Sequence, residues 1–442
     1  MRYITKTDLI IVARNSGYLM MGIGVMCLIP LIMDIIYFEF DILSFLIPGA
    51  ISILLGFAFT KYFDEGGKKL RLKHGMMISS FAWFWAGLIG GLVFMLATHI
   101  PLIDGIFESV SALTGTGITI FENVEILPHS ILFFRALEQW IGGLGVVVMV
   151  VSVLTKPGSV SSKLYQSEAR DERIKPSVKA TLKKTMEIYA IYTIAGIALY
   201  ILAGMPLFDS VCNTFTIIST GGMSIKNANM GFYQSNVIYF ITIILMILGA
   251  TSFLVHYKVI RTRGRSLIED LQFKVIICVI AFVTLMLYFV SNIVPMDLLF
   301  TVVSAITTTG ASVAPIHVMA TWQPFVIICL MCLMLTGGSS GSTVGAIKLV
   351  RMITFFKGIY RHVREILSPE GRVVPIKLNG RKIPEKAISQ SGNYIFSISS
   401  PTILLTHYFL ATSCFLFLSH IRYILVSIYS PPVIFLLKIL TQ

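Results

Sequence analysis

Charge is what this sequence has least of. Only 13% of its 442 residues are Asp, Glu, Lys or Arg, and acids are the scarcer kind, 22 against 35 Lys plus Arg. A soluble globular domain carries roughly 25% charged residues, so a free water-soluble protein is excluded. Cysteine is sparse as well. The six, at 27, 212, 278, 329, 332 and 414, all lie in apolar surroundings. Cys329 and Cys332 form a lone C-x-x-C without a second pair or a nearby His, which reads as helix packing rather than a zinc or redox site. No Gly-Lys-Ser/Thr phosphate loop, nucleophile–base pair or metal-ligand cluster can be read, so neither an enzyme nor a resident cofactor is expected. The start, MRYITKTDLIIVARN, carries Arg2, Lys6, Asp8 and Arg14 but no small-residue cleavage pattern. A removable signal peptide is therefore not expected, and the first span is retained.

What is abundant is apolar sequence. Hydrophobic residues make up 55% of the chain, with a mean hydropathy of +0.83. Crossing a bilayer as a helix takes about 20 residues, and runs of that size occur at 18–38, 42–60, 76–97, 131–154, 186–205, 236–255, 272–292 and 323–349. The net charge of +13 is concentrated in alternate connections: Lys61 to Lys73, Lys156 to Lys184, Lys258 to Lys274, and Lys348 to Lys386. The only basic residues on the intervening side are Arg135 and Lys226. By the positive-inside rule the basic loops and the N-terminus are cytoplasmic. The charge thus reports orientation and not a nucleic-acid partner.

The non-basic connections contain a repeat. Asp104 begins DGIFESVSALTGTG, Asp209 begins DSVCNTFTIISTGG, and Asp297 begins DLLFTVVSAITTTG. In each, a glycine stands thirteen positions on, at Gly117, Gly222 and Gly310. Hydroxyls recur ten positions on (Thr114, Ser219, Thr307) and seven on (Ser111, Thr216, Ser304). An aspartate N-cap followed by about ten apolar residues predicts a half-length helix of about 15 Å that enters a membrane of about 30 Å but cannot cross it. The Thr/Gly stretch then turns back as irregular backbone, tolerated at that depth only where protein buries it or a wet path runs beside it. Its carbonyls and threonine hydroxyls suit a small cation that sheds its water; tight outer turns with packing glycines are the alternative. A second Gly/Ser-rich run, TGGSSGSTVG at 336–345, would weaken a helix by up to about 1 kcal/mol per glycine. That span is expected to be broken or bistable, as a gate or as a place of close helix packing. Glu108, Arg135 and Glu138 are ionisable groups near membrane depth, read either as a structural salt bridge or as shaping cation entry.

These units, with FFRALEQWIGGLGVVVM at 133–149 and TGGSSGSTVGAIKLVR at 336–351, strongly resemble the Trk/Ktr/HKT superfamily of potassium transporters. Two spans ahead of the first repeat, and RVVPIKLNGRKIP at 372–384, resemble its Trk branch. The resemblance implies an all-α polytopic membrane protein with span, half-helix pore loop and span repeated four times around a central pore. It also implies potassium as the transported ion, uptake across the plasma membrane, a homodimer in the lipid bilayer, and cytoplasmic nucleotide-binding regulatory (TrkA/RCK-like) subunits. Carried over by position, the filter is Thr114, Gly115, Thr116 and Gly117; Ser219, Thr220, Gly221 and Gly222; and Thr307, Thr308, Thr309 and Gly310. The gate is Thr336, Gly337, Gly338, Gly341 and Gly345. Lys348 and Arg351 read as marking the cytoplasmic end of that span, with a role for Lys348 in closing the gate as the alternative.

The expected organisation is two N-terminal spans and a linker (1–75), pore repeat 1 (76–155), a basic linker (156–185), repeat 2 (186–260), repeat 3 with the gating loop (261–350), a cytoplasmic basic segment (351–396) and an aberrant hydrophobic tail (397–442). A fourth repeat, due near 385–410, is not legible. No Asp or Glu follows Glu385, and no Gly follows Gly392. The tail is read as either natural or the product of a frameshift near Phe396. A non-transporting or decayed membrane subunit is the rival reading.

Overall fold

The computed structural model describes residues 5–63, 72–145, 178–262, 264–319, 321–369, 377–378, 381–382, 388–393 and 395–396. They fall into two compact units, Met1–Ala346 and Ile347–Gln442. The 397–442 tail and most of the 156–185 linker lie outside the described residues.

The first helix, α1 (Lys6–Leu28), begins well before the apolar run expected at 18, because a capping box starts it early. The Thr5 hydroxyl accepts from the Asp8 amide, and the Asp8 carboxylate accepts from the Thr5 amide. The same carboxylate takes Lys73 Nζ at 2.6 Å and His74 Nε2 at 2.7 Å from α4 (Leu72–Thr98). A polar first turn is therefore satisfied internally. A short α2 (Leu31–Ile36) leads to α3 (Ile42–Tyr62). α1 and α3 approach closely along glycines: a side chain at Gly17 would meet Gly56 O, and one at Gly24 would meet Gly49 O, the small-residue contact that membrane helices use. Beneath them Ile23, Met26, Cys27, Phe45, Ile89, Phe94, Ile131 and Phe134 share one buried cluster. This fixes the N-terminal hairpin to the first repeat.

That repeat continues with α5 (Leu102–Thr114) and α6 (His129–Leu144). The start of α6 is capped from a distance by Glu39, which accepts from the His129 and Ser130 amides and the Ser130 hydroxyl. Burial alone would raise the Glu39 pKa, but these donors outweigh it and hold the carboxyl below its ordinary range. The second repeat comprises α7 (Val178–Leu202), α8 (Leu207–Ile218), α9 (Asn236–Ala250) and α10 (Phe253–Thr262). After α11 (Arg265–Glu269) come α12 (Leu271–Val290), α13 (Pro295–Ile306), α14 (Ile316–Met319) and α15 (Pro324–Leu335).

Among the described residues five helices are long and apolar enough to span a membrane, or six if α9 and α10 count as one. Eight spans were expected, and the differences have local causes. The run at 236–255 is not one helix, because it bends by 107° between α9 and α10. The run at 323–349 stops being helical at Leu335. The run at 131–154 is helical to Leu144, and its remainder lies outside the described residues.

In the second unit α16 (Leu349–Ile366) packs through Gly358 and Phe355 against the short helix at 388–393. A two-residue antiparallel hairpin, Lys377–Leu378 with Arg381–Lys382, is a small departure from the all-α expectation.

Candidate cation pathway

Proline, not aspartate, sets the entry of each half-helix. Pro101 and Pro206 occupy the N-cap positions of α5 and α8, and Pro295 opens α13. Asp104, Asp209 and Asp297, expected as N-caps, sit one turn inside, and none of these helices has a side-chain cap bond. Proline has the φ a helix start needs and no N–H to leave unpaired. Aspartate is then released to set its charge against the positive end of the helix dipole. Asp209 is also held by the Tyr233 hydroxyl, which donates at 2.8 Å.

At the other end, each chain leaves its half-helix through the same backbone sequence. Eleven residues after the aspartate, Gly115, Thr220 and Thr308 are left-handed (φ 69°, 56° and 52°). Two residues later Gly117, Gly222 and Gly310 are left-handed again (φ 76°, 70° and 78°). For any residue but glycine this conformation costs roughly 1–2 kcal/mol, which explains the glycine common to all three copies. The threonines at Thr220 and Thr308 carry that strain.

The recurring hydroxyls hold these turns. The Ser111 and Ser304 hydroxyls donate to Ile118 O and Ala311 O, closing each loop onto its helix. Thr216 donates to Asn213 O instead, within α8. Thr114 and Thr307 donate to the carbonyls four residues earlier, 2.7 Å away in each case. Their protons are thereby turned inward, and each lies 2.8 Å from a second threonine hydroxyl, Thr116 or Thr309. Ser219 donates back to Thr216 O.

The three segments converge. A Cβ at Gly117 would stand 2.5 Å from Gly221 O, and one at Gly222 only 1.9 Å from Thr309 O. Copy 1 thus abuts copy 2, and copy 2 abuts copy 3. Ser219 to Gly222 are all buried, whereas Thr114, Thr116 and Gly310 are exposed. No described atom lies within 4 Å of a Cβ built on Gly310.

A buried bracket stands behind copies 1 and 2. Arg135 (2% exposed) donates from Nε to Glu108 Oε1 at 2.8 Å and from Nη1 to Ser224 O at 3.2 Å. Glu108 (0% exposed) also accepts from the Thr119 hydroxyl and the Ile120 amide. One turn on, Gln139 Oε1 accepts the Met223 amide at 3.1 Å, with its amide group against Gly221. The enclosure of this ion pair fits a structural bridge, not a charge facing an entering cation. Glu138 stands apart from it, accepting from the Ser109 hydroxyl at 2.7 Å.

Below the turns runs the irregular stretch after α15. Residues 337–346 are non-helical, and their polar backbone is matched to the bend between α9 and α10. Ser339 N donates to Ala250 O, Thr343 N to Gly249 O, and Phe253 N to Gly341 O, over 2.9–3.2 Å. Gln272 Oε1 accepts from Ser340 N at 2.8 Å. His256 Nε2 bonds Leu248 O, which also accepts the Thr251 amide at the bend, while Nδ1 faces the Tyr192 hydroxyl. Two interrupted helices therefore complete each other's hydrogen bonding, as irregular backbone in an apolar setting requires. Of the expected gate residues, Gly338 packs on Ala250 O, Gly341 is left-handed, and the Gly345 amide donates to Thr308 Oγ1. Thr336 caps α15 and Gly337 is buried beside it. Lys348 and Arg351 belong to the second unit.

Sequence reasoning missed the three prolines, Gln139, Gln272 and the partners of Thr343, a residue it had placed only within the Gly/Ser-rich run. The prolines were findable, two or three residues before each aspartate; the others became visible only through their partners in distant segments.

A family model described as a cation transport protein, TrkH, matches residues 42–417, a match that runs on past Phe396. An uncharacterised cation transporter of Methanocaldococcus jannaschii is 36% identical over 389 residues, covering 88% of this chain and 80% of that protein. The Trk system potassium uptake protein TrkH of Escherichia coli K12 is 30% identical over 381 residues, covering 78% of each chain. Among solved structures, the potassium transporter TrkH from Vibrio parahaemolyticus superposes with a TM-score of 0.79 at 25% identity, over 92% of this chain and 86% of that one. Repeated half-helices, converging glycine turns and an interrupted span beneath them thus coincide with a match across most of the sequence, and the chain belongs to the TrkH family of cation transport proteins.

Proposed function

We propose that this chain is the membrane subunit of a potassium uptake system, with Thr114–Gly117, Ser219–Gly222 and Thr307–Gly310 as filter segments and the 336–345 loop as the gate. The observation that carries this reading is the shared backbone of the three turns. Two left-handed residues, two positions apart, recur in each copy, and adjacent copies touch through these turns, Gly117 against Gly221 O and Gly222 against Thr309 O. Helix C-termini aim partial negative charge toward the same place. Carbonyl oxygens there can replace the water of a weakly hydrated monovalent cation.

Potassium comes from the company the sequence keeps, since several relatives are named as Trk system potassium uptake proteins. Such a system supports the finer parts of the reading: a homodimer in the plasma membrane, nucleotide-binding regulatory subunits on the cytoplasmic side, and basic loops facing them. The non-transporting alternative is not favoured, given the extent of the family match.

The test is ion preference. Full-length parent and Gly117→Ala, Gly222→Ala and Gly310→Ala variants would be compared for rubidium against sodium uptake in cells lacking their own potassium systems. Gly222→Ala should be the most damaging, because its methyl would press on a backbone carbonyl at 1.9 Å. Gly310→Ala meets only its unfavourable φ and should be milder. Uptake and preference unaltered in all three would remove the filter assignment.

A further inference from the structure

The position eleven residues after each aspartate is left-handed in every copy, yet its residue differs. Copy 1 uses glycine, which adopts that conformation freely. Copies 2 and 3 use threonine, whose branched Cβ makes it among the least suited residues there. Strain that persists locally points to a duty elsewhere. Both threonine hydroxyls meet the interrupted span. Thr343 Oγ1 lies 3.2 Å from Thr220 Oγ1, and the Gly345 amide donates to Thr308 Oγ1 at 3.2 Å. Gly115 has no hydroxyl to offer, and the nearest atom to a Cβ built there belongs to Gly221, not to the loop.

Building on the filter and gate reading above, we infer that Thr220 and Thr308 are latch residues, whose hydroxyls hold the 336–345 loop against the base of the filter and make loop release and filter conformation a single equilibrium. Thr343 is the pin on the loop side. Besides Thr220, its hydroxyl reaches Gly249 O at 3.0 Å and Ile218 O at 3.3 Å. The absence of a side chain at Gly249 lets α9 come this close, since a Cβ there would stand 2.7 Å from Ile218 O and 2.9 Å from Thr220 Cγ2. Opening the loop must break the bonds to both threonines. Each is then left in a disfavoured conformation without its contact to the loop, Thr220 keeping only its bond to Ser219 O at 2.7 Å, so the turn is freer to relax. A closed loop, by the same contacts, favours the turn geometry described above. Any ligand or partner that selects the open loop therefore also shifts the filter.

The full-length protein in proteoliposomes tests this. Thr220→Gly and Thr308→Gly remove the hydroxyl and the strain together, so they should fold normally and raise basal rubidium flux severalfold. Thr343→Val should do the same from the loop side. In a background lacking residues 339–342 the glycine substitutions should add nothing, because no loop remains to latch. Amide hydrogen exchange over 336–345 gives a readout independent of conduction. It should quicken severalfold in the glycine variants and stay slow in Thr220→Ser and Thr308→Ser, which keep the hydroxyl. Parental exchange in the glycine variants, or equal quickening in the serine variants, overturns the latch. If the filter-glycine variants alter ion preference while the latch variants leave loop exchange untouched, the latch alone falls. Unaltered preference in the filter-glycine variants removes the filter reading and the latch with it.

Discussion

At the scale of single residues, repetition decided what could be read. Gly117, Gly222 and Gly310 stood out because three copies share one spacing, and each adopts the left-handed backbone that gives glycine its advantage. Thr220, Thr308 and Thr343 gave no such signal, because their roles lie in contacts between separate segments, 123 residues apart for Thr220 with Thr343, 94 for Thr343 with Gly249 and 37 for Thr308 with Gly345. The aspartates were seen but misplaced by a turn, since composition at a helix start does not say whether proline or aspartate makes the entry. From sequence alone Glu108 and Arg135 fit two roles, and their burial as an ion pair favours the structural one. Removing one partner of such a pair strands the other charge, which costs about 3–5 kcal/mol. Arg135→Ala should therefore lower thermal stability in detergent sharply, and more than the double replacement Glu108→Gln with Arg135→Met, which leaves no unpaired charge. Equal melting of the two would mean that water reaches the site.

Elements were legible where one period ran unbroken. α3, α4, α7 and α12 fall close to the expected runs at 42–60, 76–97, 186–205 and 272–292. The interruption at 336–345 was also legible, from its glycines and hydroxyls. The bend at Thr251 and Ser252 was not, because hydropathy averages over a break of two residues that sits between apolar flanks. Nor was the capping of α6 by Glu39, ninety positions upstream of its partners. That cap has a pH signature. The folded state holds the Glu39 carboxyl below its ordinary value of 4.5, so its contribution is present above the unfolded value and fades as pH falls through the lower folded one. Melting temperatures of parent and Glu39→Gln should differ at neutral pH and converge in acid. No gap at neutral pH would mean that the amide replaces the carboxylate as a cap, and a constant gap at every pH would mean that the carboxylate charge is not what stabilises the helix start.

For the whole molecule, scarcity of charge and its uneven placement announced a membrane protein, and three related half-helices announced a pore-like centre. How the copies meet was beyond sequence, since it depends on which backbone atoms come within reach of which glycines. The pairing of two interrupted helices has a further consequence for biogenesis. Thr343 follows its acceptor Gly249 by 94 residues, so α9 and α10 emerge from synthesis long before the strand of amides that completes them. During that interval the carbonyls of Gly249 and Ala250 lack their final donors, and such groups cost several kcal/mol each in hydrocarbon. A nascent chain should accordingly hold this corner near water or a chaperone until the third repeat arrives. Chains truncated after Leu335 should be cut readily near 249–253 by a protease that leaves the full-length protein intact there. The second repeat, on this view, matures only when the third one does, and quality control can monitor the whole subunit by the exposure of one bend.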